Sequence, residues 1–284
     1  YLHDKIEFEI ADGSFDAFSI KKINNKYNFL TVKEKKDYIK NLKTFTEKTV
    51  FNYGNNFQQL NRRLINLENS RYNLIVKYLK EKKFDFTKEL KKLLNEIIIN
   101  GIIPFSKYAR YAFIGKKFLN SLKIEKIISD KTYHNLINSI ETITTKYVSL
   151  EKKAHKGNKF RSQFDTFFYH LRPGTYDIRI NRYENKIKAR KIDNLSIILK
   201  FEPKNIKINK KELVKINHFL KKNKIKLGAY SFINFCISSI KLRENSKFIF
   251  TRALSDYLQI IEKLGQKKSI NVEKLSNFEI KYIY

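Results

Sequence analysis

From Thr31 onward this chain is a succession of helix signals, and that periodicity leaves room for little but a helical fold. Thr31-Val32-Lys33-Glu34 has the form of a capping box, in which a hydroxyl and a carboxylate satisfy each other's free backbone N–H groups. It opens a helix with apolar positions Tyr38, Ile39, Leu42, Phe45 and Val50. A long amphipathic segment follows from Asn56 to Lys80, carrying Leu60, Leu64, Leu67, Leu74, Val76 and Tyr78. Leu90 to Ile99 predicts a further helix closed by Gly101, and Pro104 starts another that runs through Leu122. Ser129 to about Lys156 reads as one helix ended by Gly157, and Phe160 to Tyr169 leads into a loop. The segment Lys186 to Lys200 is ambiguous and is broken by Pro203. Asn209–Lys222, Ala229 to about Leu264 stopped by Gly265, and a short turn near Val272–Leu275 complete the pattern.

Ahead of these helices, residues 1 to about 23 predict a hairpin. Lys5-Ile6-Glu7-Phe8-Glu9-Ile10 and Phe15-Asp16-Ala17-Phe18-Ser19-Ile20 alternate, and Asp12-Gly13 between them is a strong short-range hairpin signal. The expected fold is therefore mainly α, an irregular helical bundle with a short N-terminal β hairpin. No internal repeat is evident.

Composition narrows the function classes. The chain has 284 residues, 42% of them hydrophobic and 14% aromatic, so it has material for a sizeable core. It lacks Met and starts at Tyr1, which predicts a piece of a longer protein. Its one cysteine, Cys236, lies in the apolar run Phe232–Ile237 with no basic neighbour to activate it, and reads as a small buried hydrophobe. That cysteine usage and the lack of a membrane-length apolar run predict a cytoplasmic protein with no membrane partner. The net charge of +31 would draw polyanions weakly at low salt. However, the lysines are spread along almost every segment, and Lys, Asn, Ile, Phe and Tyr are also favoured by A+T-rich codons. Against that background an arginine hints at a place where lysine would not serve, such as a planar contact to carboxylate or phosphate. Five arginines fall between Arg161 and Arg190, and others are Arg110, Arg243 and Arg252.

Those five bracket the most unusual stretch of the chain. Phe168-Tyr169-His170-Leu171-Arg172-Pro173-Gly174-Thr175-Tyr176-Asp177-Ile178, followed by Asn181-Arg182-Tyr183, gathers an imidazole, guanidinium groups and a carboxylate about Pro173-Gly174. That dipeptide is a type II turn signal. Two readings stand side by side: a loop presenting binding groups on a rigid scaffold, or a loop whose polar groups satisfy one another. The five histidines are scattered with none paired at ligand spacing, so a histidine metal site is not expected.

Three stretches occur in a telling order: Pro104-Phe105-Ser106-Lys107-Tyr108-Ala109-Arg110-Tyr111-Ala112-Phe113-Ile114, then His170-Leu171-Arg172-Pro173-Gly174-Thr175-Tyr176-Asp177, then Phe248-Ile249-Phe250-Thr251-Arg252-Ala253-Leu254-Ser255-Asp256. Together they resemble the region downstream of the ATP-binding domain in phosphoenolpyruvate synthase-like proteins, a group with pyruvate phosphate dikinase and rifampicin phosphotransferase. The resemblance covers nearly the whole chain. It implies residues 1–26 as the terminal hairpin of an ATP-grasp domain and residues 27–284 as a helical middle domain, divisible near 186–208. In the hairpin Glu7 matches a family position near ATP and metal, while Ser19 and Lys21 stand where the family has Gln and Arg. Tyr169 replaces a usual glycine, and Asn181-Arg182 a usual Ser-Pro.

By this resemblance ATP and Mg would be bound mainly by other domains of a parent chain. A phosphoryl group would pass to a histidine in a Gly-rich segment of a mobile domain, which this chain lacks, and then to a small-molecule acceptor. The ATP-grasp and phosphohistidine domains are then its partners, and the fragment alone completes no reaction. Arg110, Arg172 and Arg182 would grip phosphate or carboxylate oxygens, His170 would hydrogen-bond or shuttle a proton, and Asp177 would orient Arg or His. A structural alternative pairs Arg172 with Asp177 to lock the loop, and Thr251–Asp256 reads as helix packing and capping. Two other function classes remain: a basic helical module binding nucleic acid or another polyanion, and a non-catalytic scaffold of a degenerate family member.

Overall fold

A computed structural model describes residues 13–155, 157–173, 176–192, 195–201 and 208–279. Among these the chain is helical and contains no strand. In order the helices are α1 Ser19–Lys26, α2 Val32–Phe51, α3 Tyr53–Lys80, α4 Phe86–Ile97, a π-helical turn Ile98–Ile102, α5 Ile103–Ile124, α6 Asp130–Asn138, α7 Ile143–Ala154, α8 Asn158–Phe168, α9 Leu195–Ile198, α10 Lys210–Lys222, α11 Ala229–Lys267 and α12 Val272–Ser276. No helix among the described residues is long and apolar enough to cross a membrane.

The expected hairpin is not seen. Its first arm, with Glu7 and Asp12, lies outside the described residues. Its second arm is not a strand, because side chains take the backbone donors that a partner strand would need. Phe15 N–H donates to Thr46 Oγ1 at 2.8 Å, Asp16 N–H to Ser19 Oγ at 2.9 Å and Ala17 N–H to Ser121 Oγ at 3.1 Å. Phe18 N–H donates to Asp16 Oδ1 at 2.8 Å, and α1 begins at the next residue.

Local chemistry accounts for half of the helix starts. The Thr31–Glu34 capping box is present in both directions, and Asp85, Ser129, Asn209 and Asn271 each accept an N–H of the first turn through their side chains. The single helix expected over Ser129–Lys156 is instead two, because Thr142 forms a second capping box with Thr145 and restarts the chain at α7. Nor does Gly101 close a helix: α4 passes through the π-helical turn into α5. Gly101 is there for close approach, since a Cβ would lie 2.8 Å from both Leu67 Cδ2 and Phe250 Cβ. Gly265 likewise lies inside α11.

The chain divides into two compact units, made from the described residues of Tyr1–Phe57, Tyr108–Ile140 and Phe201–Leu242, and of Gln58–Lys107, Glu141–Lys200 and Arg243–Tyr284. In the first unit Phe57 is an aromatic centre, its ring 5.3–6.3 Å from those of Tyr53, Tyr108, Tyr111, Phe201 and Phe235. Such aromatic clusters, edge-to-face except for the stacked Phe57–Phe235 pair, add to the burial of their apolar area. Phe15, Ile23 and Leu42 form a smaller core beneath Tyr27, Tyr38, Ile39 and Phe219. Cys236 is fully buried in this unit, where desolvation pushes its thiol pKa up, so it packs as a hydrophobe. Glu212 ties α10 to α6, accepting from Ser129 N–H and the Thr132 hydroxyl, both at 2.8 Å.

The tightest packing in this unit is at Gly115, where a Cβ would lie 2.7 Å from Ser239 Oγ and 2.9 Å from both Cα and O of Cys236. Two of those three atoms are backbone, so they cannot swing aside. Gly115→Ala is expected to destabilise this unit by about 1–3 kcal/mol despite alanine's better helix propensity. Urea unfolding of the variant against wild type measures it.

In the second unit, Leu60, Leu64, Leu67, Leu74 and Ile75 of α3 and Leu90, Leu93 and Ile97 of α4 are buried, as are Phe248, Ile249, Ala253, Tyr257, Ile260 and Ile261 of α11. The α7–α8 hairpin closes around an aromatic group in which Tyr147, Phe164 and Phe168 sit 5.0–5.2 Å apart. Phe167 stacks on Phe248 at 5.0 Å.

Candidate functional site

α8 ends at Phe168, and the described residues that follow belong to no helix until α9. Its return leg is held to its outgoing leg by Tyr183 N–H to Leu171 O at 3.1 Å and Glu184 N–H to Tyr169 O at 3.2 Å. The expected Pro173-Gly174 turn extends into Gly174 and Thr175, outside the described residues. A loop without helix leaves its backbone carbonyls to be satisfied by side chains, and here guanidinium groups do so. Arg172 Nη1 donates to Ile180 O and, at 3.4 Å, to Asp177 O. Arg182 Nη2 donates to Lys186 O at 3.1 Å.

The centre of the site is Asp256, on α11. Its Oδ1 accepts from Arg182 Nη1 at 2.6 Å, and its Oδ2 accepts from Arg71 Nη1 at 2.7 Å and from the Tyr169 hydroxyl at 3.0 Å. Arg71, on α3, holds Glu68 with two parallel bonds of 2.7 Å through Nε and Nη2. It also donates to the Arg190 carbonyl, which accepts from Arg252 Nη2 at 3.0 Å as well. Glu68 Oε1 takes the Ile192 N–H at 3.0 Å. The guanidinium carbons of Arg182, Arg190 and Arg252 lie 5.2, 5.0 and 4.8 Å from the centre of the Tyr169 ring. Tyr169 thus serves the cluster with both its π face and its hydroxyl.

Burial sets the electrostatics. Glu68, Arg71, Arg172, Arg182, Arg252 and Asp256 are each at most 6% exposed. Desolvation alone would raise the Asp256 carboxyl, but the Arg71, Arg182 and Arg252 charges outweigh it and hold the group below its ordinary range. Arg252 is pushed down, first by burial and then by the Arg71 charge, against the opposing pull of Tyr169, Glu68 and Asp256. His170 has no exposed surface and its ring packs 4.7 Å from that of Phe248. Burial, then the Arg252, Arg71 and Arg182 charges, press its pKa well below the ordinary value, so it is a neutral imidazole at pH 7.

Of the residues singled out by sequence, His170, Arg172 and Arg182 all lie in or beside this buried cluster. Asp177 does not: its carboxylate faces Arg179, at 3.0 Å from Nε and 2.5 Å from Nη2, and those bonds hold it down to about 2. Arg172 meets the backbone carbonyl of Asp177, not its carboxylate. Arg110 is exposed on α5 in the first unit, and Glu7 lies outside the described residues. The reading of Thr251–Asp256 as packing and capping fits Thr251, whose hydroxyl donates to Lys247 O at 2.7 Å, but misses the role of Asp256. Sequence reasoning also passed over Arg71, Glu68 and Arg252 as partners. The scarcity of arginine was the one signal pointing towards Arg71 and Arg252. Among the described residues no group of His, Cys, Asp and Glu is placed to hold a metal ion.

The chain matches no family model, no curated protein and no solved structure.

Proposed function

We propose that the chain is the helical domain of a phosphoenolpyruvate synthase-like, ATP-dependent phosphotransferase, contributing a docking and acceptor-binding surface between an ATP-grasp domain and a phosphohistidine domain. The observation that carries this reading is the gathering of His170, Arg172 and Arg182, from the motif with the most specific resemblance, into one arginine-rich buried centre anchored on Asp256. Phosphoryl transfer is helped chiefly by positioning and by charge placed where the phosphoryl oxygens are, and a guanidinium held rigidly supplies both. In this reading ATP and Mg belong with the neighbouring domains, and no step is assigned to them here.

The test uses the full reading frame that contains this chain. Incubation with labelled ATP is expected to give an acid-labile phosphohistidine outside residues 1–284, and Arg172→Lys to slow transfer to the acceptor at least about tenfold with an unchanged circular dichroism spectrum. An unlabelled protein overturns the reading. A net charge of +31 favours a second one, in which the chain is a basic helical module for polyanions. Salt-dependent binding of single-stranded nucleic acid that survives replacement of Arg172 and Arg182, in a protein that takes no label, would select it.

A further inference from the structure

The side chains of the second unit place more positive charge in the interior than they neutralise. Four buried guanidinium groups, Arg71, Arg172, Arg182 and Arg252, stand against two buried carboxylates of the cluster, Glu68 and Asp256. Arg71 and Arg182 use those carboxylates, whereas Arg172 and Arg252 meet backbone carbonyls. Polar atoms are left over in the same place. Arg252 Nε and Nη1, Arg172 Nε and Nη2, Arg182 Nε, both ring nitrogens of His170, Ser255 Oγ and Gln259 Oε1 have no hydrogen-bond partner among the described residues. Buried polar groups are nearly always paired, so a cluster of unpaired ones on one face calls for a partner.

These atoms share a location. Arg252, Ser255, Asp256 and Gln259 follow the i, i+3, i+4, i+7 spacing that puts them on one face of α11. Arg182 reaches that face through its bond to Asp256, and Arg252 joins Arg71 at the Arg190 carbonyl. The unsatisfied set is almost all donors carrying an excess of two positive charges, with two acceptors, Gln259 Oε1 and the lone pair of the neutral His170 ring.

We infer that this face of α11 is a binding site for a hydrogen phosphate group, with Arg252, Arg182 and Ser255 donating to its oxygens and Gln259 or His170 accepting its O–H. A dianion suits the excess of two positive charges in the buried set, and the free Nε and Nη1 of Arg252 and Nε of Arg182 are charge-assisted donors for its oxygens. Sulfate has the same shape and charge but no O–H, so it leaves the acceptors unpaired and is disfavoured. Entry is by local lifting of the return leg Tyr183–Arg190, which carries no helix and whose Arg190 carbonyl covers Arg71 and Arg252. The inference deepens the phosphotransferase reading by assigning a phosphate subsite to the motif region, yet it requires nothing of the neighbouring domains.

The experiment is calorimetric titration of the purified 284-residue chain with potassium phosphate and, separately, potassium sulfate, in chloride at constant ionic strength and pH 7. Saturable one-site binding is expected, with phosphate at least about tenfold tighter than sulfate. Arg252→Met should weaken phosphate roughly 10- to 100-fold while keeping the wild-type helical spectrum, and Lys33→Gln, at an exposed lysine of α2, should not change it. Should the Met variant fail to fold, Ser255→Ala carries the test, and an affinity equal to wild type overturns the site. Equal affinities for phosphate and sulfate, or equal losses in the Arg252 and Lys33 variants, also overturn it, since surface lysines would then be the binders. Phosphate binding here without a phosphohistidine label in the full protein removes the parent activity and leaves this site standing; the label without the binding does the reverse.

Discussion

Asp256→Asn is expected to cost about 3–5 kcal/mol of unfolding free energy, because it removes one member of a buried ionic network and leaves its partners charged. The neutral amide keeps the shape of the carboxylate but donates through one arm, so it cannot accept from Arg182 on one side and from Arg71 and Tyr169 on the other. The variant also tests the sign of the pH dependence. The Asp256 carboxyl is depressed in the folded protein relative to its ordinary value of 3.8. Its contribution is therefore complete above that value and is lost as pH falls below it through the folded pKa. Urea unfolding midpoints measured from pH 7 downward should fall more steeply for wild type than for Asp256→Asn below about pH 4. A variant within error of wild type at pH 7 would mean that Arg71 and Arg182 are anchored by something other than this carboxylate.

Much of the helical pattern was legible because its causes are local. Thr31, Ser129 and Asn209 sit where capping chemistry needs them, and the leucines of α3 recur at helical spacing. What misled was also local. Asp12-Gly13 carries hairpin chemistry, but the next donors in the chain go to Thr46 and Ser121, side chains 31 and 104 residues away. Gly101 and Gly265 read as helix ends because glycine favours C-caps. They are inside continuous helical segments, and at Gly101 the cause is the approach of Phe250.

The site divides in the same way. Arginines in a lysine-rich chain pointed to the loop without any knowledge of its neighbours, and three of the residues picked from it share the buried cluster. The partner assignment failed for a physical reason: Asp177, the nearest carboxylate in sequence, is taken by Arg179 two residues on. The carboxylate that organises the loop comes from α11, and a further arginine that shares it lies 185 residues from it on α3. Charge pairing across such separations is set by packing, which no local pattern records.

That division predicts very different outcomes for the same substitution at two arginines. Arg71→Lys keeps the charge and loses the planar fork. An ammonium can reach Glu68 or Asp256, but it cannot hold both Glu68 oxygens in parallel while also meeting Asp256, Tyr169 and the Arg190 carbonyl. With at least one carboxylate left poorly paired in the interior, the expected loss is about 3–5 kcal/mol. Arg179→Lys, at an exposed pair with Asp177, should leave stability unchanged within error, since water replaces what the fork gave up. Amide hydrogen exchange separates a local from a global effect: Ile192 N–H is held by Glu68 Oε1, so it should exchange faster in Arg71→Lys under conditions where α10 amides keep their wild-type protection. If the two lysine variants unfold at the same urea concentration, Arg71 is not the clamp between α3 and α11, and the ionic network is decoration on an apolar core.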